Sequence, residues 1–320
     1  MFKTAIRLGG WIMAAAGLAL SQPAFSDNHK APAPIPFNEL SKAFGWGFDI
    51  EIKAEKHGEG FYVLFGVGGN IGASIGEQGV LIVDNQFPEI IPKVKEKIKE
   101  LGGGDIDFAI NTHWHFDHAD GNKTLGKEGT WIVAQSNSRQ KMLGNHIINL
   151  VGMSYRQKAY EPSALPVIAY DDKMQFHFNG EQIDLMHFGP AHTTGDTAVI
   201  FRGNNAVHMG DVFNMTGYPF IDADNGGELA GLIKFCEAVL GEINEKTIMV
   251  PGHGEVVGYK EFKAYIDMLK TIKERIEGMV ADGASLAEVM AAKPTQEFDE
   301  ANGDPAMFLN RAYHSLKKGK

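Results

Sequence analysis

Residues 113–118 read His113-Trp114-His115-Phe116-Asp117-His118, and this stretch decides how the rest of the chain is read. It places three imidazoles and a carboxylate within six positions. Inside a protein each of those groups must find a partner or lose the solvation it had in water. A metal removes the difficulty, because neutral imidazole nitrogens and a carboxylate oxygen are good donors to Zn²⁺. Treated as an extended segment entering a turn, alternation predicts His113, His115 and Asp117 on one side, with His118 facing away. One ion does not hold all four comfortably, so the segment points to two adjacent ions.

Working outward, Phe108–Asn111 reads as a strand that delivers the chain into the motif. Upstream, Phe61–Val67, Ile71–Ile75 and Val80–Val83 are short apolar runs between Gly-rich turns, a hairpin pattern. Pro88–Leu101 carries Ile90, Ile91, Val94, Ile98 and Leu101 at helical spacing and is closed by three glycines. Ala119–Leu125 is predicted as a short helix and Trp131–Ala134 as a strand. Strands are expected again at 167–170, 174–179, 182–188, 197–201, 206–209 and 247–250, with a helix at 228–240. The tail is helical, with one apolar stripe from Tyr259 to Val280. Ser285–Glu288 forms a capping box for the next helix, and Asp304-Pro305 opens a last one. Sheet, helices, sheet, helices predicts a layered α/β sandwich.

The chain divides into four stretches: 1–26, 27–36, 37–258 and 259–320. The first has Lys3 and Arg7, an uncharged run Trp11–Leu20, and Ala24-Phe25-Ser26 as a cleavage site, the pattern of a secretory signal peptide. An exported protein, periplasmic or secreted, is expected, with no stable membrane association after cleavage. Residues 27–36 are a Pro-rich flexible lead-in, and 259–320 a helical extension packed on the main domain. The formal charge is −10, and losing the leader makes it two units more negative. No basic cluster accompanies it, so a nucleic-acid partner is not expected. Cys236 is the single cysteine and lies on the predicted helix 228–240, where a buried structural thiol is expected. His146, His177, His187 and His208 are read as structural.

Three further donors stand at the ends of predicted strands beside glycines: His192 in Gly189-Pro190-Ala191-His192-Thr193, Asp211 in Met209-Gly210-Asp211, and His253 in Pro251-Gly252-His253-Gly254. Loops at strand ends bring together side chains distant in sequence. HWHFDH, then GPAHT, then Gly-Asp, then PGHG, in that order, resembles the metallo-β-lactamase superfamily, from about Gly60 to about Gly258. The resemblance implies a four-layer αβ/βα sandwich with the site at one edge of both sheets. It implies His113, His115 and His192 around one metal, Asp117, His118 and His253 around a second, and Asp211 bridging them. Asp84, in Val83-Asp84-Asn85, matches the supporting aspartate of the family, expected to orient the loop carrying His115.

Two divalent ions roughly 3.5–4 Å apart share a hydroxide and lower the pKa of its parent water toward 7. Asp117 is the expected catalytic residue, orienting that nucleophile. Substrate contacts are expected from 68–70, 145–166 and 213–224; Phe213, Tyr218 and Phe220 could form an apolar wall, with core packing the competing role. Asp211 stands where some true metallo-β-lactamases of this resemblance carry a cysteine ligand, which favours the bridging-Asp hydrolases. The expected function is an exported dinuclear zinc hydrolase opening a small cyclic amide or ester, a β-lactam first. Lactonase, esterase and thioesterase activities are the alternatives. A mononuclear iron persulfide dioxygenase using His113, His192 and Asp211 is a rival, as is a non-catalytic scaffold. Metal identity separates the zinc and iron readings.

Overall fold

The computed structural model describes residues 30–318, so the signal-peptide reading of 1–26 lies outside the described residues. Two large sheets face each other. One has seven strands, beginning with the antiparallel run Lys53–Lys56, Phe61–Phe65, Ile71–Gly76 and Gly79–Val83. Ile106–Asn111, Trp131–Gln135 and Ile168–Tyr170 then extend it in parallel. The other sheet has six strands, from Lys173–Phe178 through Glu181–Met186, Ala198–Phe201 and Ala206–His208 to Ile248–Val250 and Val257–Gly258.

Three apolar interfaces make this four layers. Between the sheets, Phe61, Val63, Leu81, Val83, Ile110 and Val133 meet Ile183, Leu185, Val199, Phe201 and Val250. Behind the first sheet, Ile91, Val94 and Ile98 of the helix Ile91–Glu100 cover Ile71, Ala73, Ile82 and Ala109. Behind the second, helices Leu229–Leu240 and Tyr259–Ala281 bury Leu232, Phe235, Phe262, Ile266 and Leu269 against Ala198, Ile200, Val207 and Met249. Each helix sets apolar residues three and four apart, so one face is spent on a sheet. This is the expected αβ/βα sandwich, and the tail helices belong to its outer layer.

Phe61 and Phe201 tie the sheets together, with ring centroids 4.4 Å apart and neither ring exposed. Phe201→Ala is expected to lower unfolding free energy by about 3–5 kcal/mol, because a central ring leaves a cavity that two sheets cannot close. A urea melt within 1 kcal/mol of wild type would contradict that placement (about the size of a mild core substitution).

Several elements escaped the sequence pattern. Lys53–Lys56 is a polar edge strand recruited only by pairing with Phe61–Phe65. The hairpin His146–Asn149 with Ser154–Gln157 lies inside a stretch read as loop. The lead-in is not free throughout: Ile35 N–H donates to Ser154 O (2.9 Å), and Ser154 Oγ to Pro32 O (2.8 Å). Cys236 is fully buried with its thiol near Val212 O, and burial pushes its pKa up, which suits a structural thiol.

Candidate metal centre

The motif is not an extended segment. Strand Ile106–Asn111 ends, the chain bends through Thr112–Trp114, and Phe116–Ala119 forms one helical turn. That turn corrects the expected orientation of His118. A helical turn rotates each residue by roughly 100° rather than 180°, so His118 turns back beside His113, and Asp117 faces His118 and His253. His118 Nε2 lies 3.0 Å from Asp211 Oδ1 and 3.2 Å from His253 Nε2.

All seven predicted donors converge. His113, His115 and His192 form one group, Asp117, His118 and His253 another, and His113, His118 and Asp211 a third between them; within each, the donor atoms lie within 4.8 Å of one another. Asp211 reaches both outer groups, with Oδ2 3.7 Å from His192 Nε2 and Oδ1 3.5 Å from His253 Nε2. The resemblance had implied this division.

The hydrogen bonds behind the rings decide which nitrogen is free. Thr112 Oγ1 donates to Asp84 Oδ2 (2.8 Å) and therefore accepts from His113 Nδ1 (3.1 Å). His118 Nδ1 donates to Asp84 Oδ2 (2.7 Å), His192 Nδ1 to Phe220 O (2.7 Å), and His115 Nε2 to Asp222 Oδ2 (2.9 Å). Carbonyls and carboxylates only accept, so each ring has its proton on the outer side. The inward nitrogens then carry lone pairs. His192 Nε2 and His115 Nδ1 stand 2.9 Å apart as two acceptors, and His113 Nε2 and Asp211 Oδ1 are buried with no hydrogen-bond partner. A neutral cavity cannot satisfy that set; divalent cations can, and second partners of this kind are how ligating histidines are usually held. The residues fit a metal pair.

Charge tells the same story. Burial and the neighbouring His118, His192 and His115 push His113 well below the ordinary imidazole range. Burial opposes charge on His118, but Asp211, Asp117 and Asp84 outweigh it and raise its pKa well above normal; a bound ion would take the place of that second proton at Nε2. Burial alone would raise Asp211; His118 and His253 overcome it and hold the carboxyl well below its usual range. The cavity therefore favours ionised carboxylates and demands positive charge beside them.

The supporting residues differ from expectation. Asp84 does not orient His115: it binds the Thr112 N–H (2.7 Å), the Thr112 hydroxyl and His118. Its φ of +63°, a region Asp tolerates, turns its carboxylate under the motif. His115 is held instead by Asp222, which the sequence did not single out; its only signal was a polar turn, Asp222-Ala223-Asp224-Asn225. Asn70 is spent on the His253 loop, donating through Nδ2 to Pro251 O and Gly254 O (both 2.9 Å). Phe213 and Tyr218 are core, packed on Phe262 and stacked on Phe308. Phe220 alone of the three reaches the site, its ring 6.1 Å from His115 and 5.7 Å from His192. The 145–166 stretch braces the motif from behind: His146 packs on Trp114 (5.1 Å), and Gln157 Nε2 donates to Trp114 O (2.7 Å). His208 is buried, with Nε2 donating to Asn70 O (2.9 Å), as a structural histidine should.

Gly69 passes directly over His118, and a Cβ there would collide with the imidazole ring. Gly69→Ala is expected to displace His118 and lower affinity for the metal at the Asp117/His118/His253 group by about tenfold or more, since roughly 1.4 kcal/mol is a factor of ten. A chelator-competition titration reads this; unchanged affinity would mean the loop shifts freely.

Residues 57–257 match the family model of the metallo-beta-lactamase superfamily, and the chain belongs to that superfamily. Together with relatives named as hydrolases, this makes it a metal-dependent hydrolase. A probable metallo-hydrolase of Methanocaldococcus jannaschii is 25% identical over 60% of this chain and 90% of its own length. A probable hydroxyacylglutathione hydrolase of Schizosaccharomyces pombe is 25% identical over 55% of this chain and 59% of its own. The mitochondrial hydroxyacylglutathione hydrolase of Saccharomyces cerevisiae is 26% identical over 58% and 62%. The chain thus spans about three fifths of the last two. Among solved structures, the DIM-1 metallo-beta-lactamase superposes with TM-score 0.56 at 16% identity, covering 69% of this chain and 98% of its own. One from Pontibacter korlensis gives 0.56 at 13%, covering 69% and 99%. At those identities the likeness is one of fold.

Proposed function

We propose that this chain is a dinuclear zinc hydrolase cleaving the acyl bond of a small substrate, a thioester or ester before a β-lactam. The observation that carries it is the set of inward lone pairs on His113, His115, His118 and His192, with Asp211 between the two outer groups. Divalent ions held there would supply Lewis acidity and bring the pKa of bound water toward neutrality. His113, His115 and His192 would hold one ion, Asp117, His118 and His253 the other, and Asp211 both.

The chain's own groups do the rest. Asp117 is less enclosed than the buried imidazoles, and its Oδ2 lies 3.3 Å from His253 Nε2 and 3.7 Å from His118 Nε2. It is placed to orient the attacking water and to take its proton. Phe220 offers an apolar flank beside His115 and His192 for the acyl part of the substrate.

Sequence-level support favours thioesters, because two matched relatives are named hydroxyacylglutathione hydrolases, while the lactamases share the fold alone. This reverses the expected order, in which a β-lactam came first. β-Lactam opening stays as the second reading, since the same donors polarise an amide carbonyl equally well. Parallel assays of the zinc-loaded protein on an acyl thioester, an aryl ester, a lactone and a chromogenic cephalosporin test both. Turnover on the first two at rates above the cephalosporin is expected; cephalosporin turnover alone would restore the lactam reading. Chelation is expected to abolish activity and zinc to restore it, whereas no hydrolysis with zinc and O₂ consumption with a persulfide by the iron-loaded protein would point to the dioxygenase chemistry. No helix among the described residues is long and apolar enough to cross a membrane. Export remains part of the proposal, and the mass of the protein recovered from cells tests it: cleavage after Ser26 is expected.

A further inference from the structure

The two rings at the first metal position are held differently. His113 hangs on a hydroxyl within its own strand–turn, but His115 depends on a carboxylate 107 residues away, Asp222. Asp222 is 1% exposed and does two things at once: its Oδ2 accepts from His115 Nε2, and its own N–H donates to His192 O (3.0 Å). It therefore positions two ligands of one ion.

Asp222 opens the tight turn Ala223–Asn225, and that turn is pinned in part by residues beyond the matched stretch. Asn225 Nδ2 donates to both Asp222 carboxylate oxygens (2.9 Å each) and to Ile147 O (3.0 Å). Asp224 Oδ2 accepts from Asn149 Nδ2 (2.9 Å) and from the Arg311 guanidinium (2.9 Å). Lys318 Nζ donates to Ala223 O (2.8 Å). Arg311 and Lys318 both belong to the last helix, Ala306–Lys318, and Arg311 is only 2% exposed. A guanidinium is not left buried without a carboxylate, so the ion pair fixes where this helix seats. Ser315 Oγ adds a contact to Leu229 N–H (2.9 Å), at the start of the neighbouring helix.

We propose that the C-terminal helix is a positioning element of the metal centre. Arg311, through Asp224, holds the 222–225 turn, and Asp222 keeps His115 with Nδ1 turned inward. The inference rests on the metal reading above. It extends that reading to residues beyond the matched stretch 57–257, and it makes the tail a determinant of metal affinity rather than mere packing.

The test uses the full chain loaded with Co²⁺ or Zn²⁺. Asp222→Asn keeps the shape but weakens the acceptor, and Arg311→Met and Asp224→Asn each remove one half of the ion pair. Asp222→Asn is expected to lower affinity for the ion at His113/His115/His192 about 10–100-fold, the usual effect of losing such a partner. It should also alter the visible Co²⁺ spectrum while leaving affinity at the other position unchanged. Arg311→Met and Asp224→Asn should shift the same ion in the same direction by a smaller factor, and Arg311→Lys should recover part of the loss. Asp224→Asn alone leaves the buried guanidinium without a carboxylate, so the double variant Arg311→Met/Asp224→Asn, which leaves neither charge unpaired, carries the inference independently, with circular dichroism confirming the fold. Folded double-variant and Asp222→Asn proteins with wild-type affinity and spectrum would overturn it. A wild-type stoichiometry of one ion would overturn the dinuclear reading alone, because the comparison is read on the His113/His115/His192 ion.

Discussion

Asp211→Ala is expected to reduce bound metal from two ions to one or fewer and to lower kcat/KM by about 10³-fold or more. The size follows from what a bridging carboxylate does. Metal charge stabilisation is worth several kcal/mol, and each ~1.4 kcal/mol is tenfold in rate, so about 4 kcal/mol gives three decades. The geometry singles out Asp211, since its Oδ1 lies 3.0 Å from His118 Nε2 and 3.5 Å from His253 Nε2 while Oδ2 lies 3.7 Å from His192 Nε2. Gly252 packs so closely on this side chain that a Cβ there would strike the Asp211 carboxylate. Metal analysis and steady-state kinetics on the same preparation check the result. Two ions retained, with a rate within tenfold of wild type, would remove Asp211 from the bridging role.

The seven donors were legible because their chemistry is local. Imidazoles and carboxylates beside strand-end glycines have few structural uses, and four such motifs in one order constrain each other. Their directions were less legible. Reading 113–118 as extended turned His118 away, whereas one helical turn over Phe116–Ala119 brings it inward. Periodicity could not separate those cases within four residues, since both fit so short a span. The layers were legible for a similar reason: helix 91–100 and helix 229–240 present apolar stripes at helical spacing to the sheets they cover. What stayed hidden was long-range and polar. Asp222 and Arg311 sit 89 positions apart, one on a turn and one on a helix, and their link passes through Asp224. Nothing in sequence separation marks such a pair. Asn70 was hidden for the same reason, its partners lying 181 and 184 residues away.

Asp117→Asn separates holding a metal from doing chemistry, and it is expected to lower kcat by about 10²–10⁴-fold, the usual worth of a positioned general base. Asn keeps the shape of the side chain and one oxygen that can still face the cavity. His118 and His253 remain to hold the second ion, and their supports, Asp84 and the loop clamped by Asn70, are untouched. Metal content should therefore fall little. What Asn cannot do is accept a proton at the operating pH. In the wild type, burial acts to raise the Asp117 pKa, and His118 and His253 more than offset it, so the carboxyl is held below its ordinary value. It is ionised and ready at neutral pH. The contrast with Asp211→Ala is the discriminating feature, because that variant loses metal and rate together while Asp117→Asn loses rate with metal in place. Full activity in a two-ion Asp117→Asn protein would show that Asp117 is a ligand only. Loss of both ions would show that its negative charge, rather than its proton, is what the site requires.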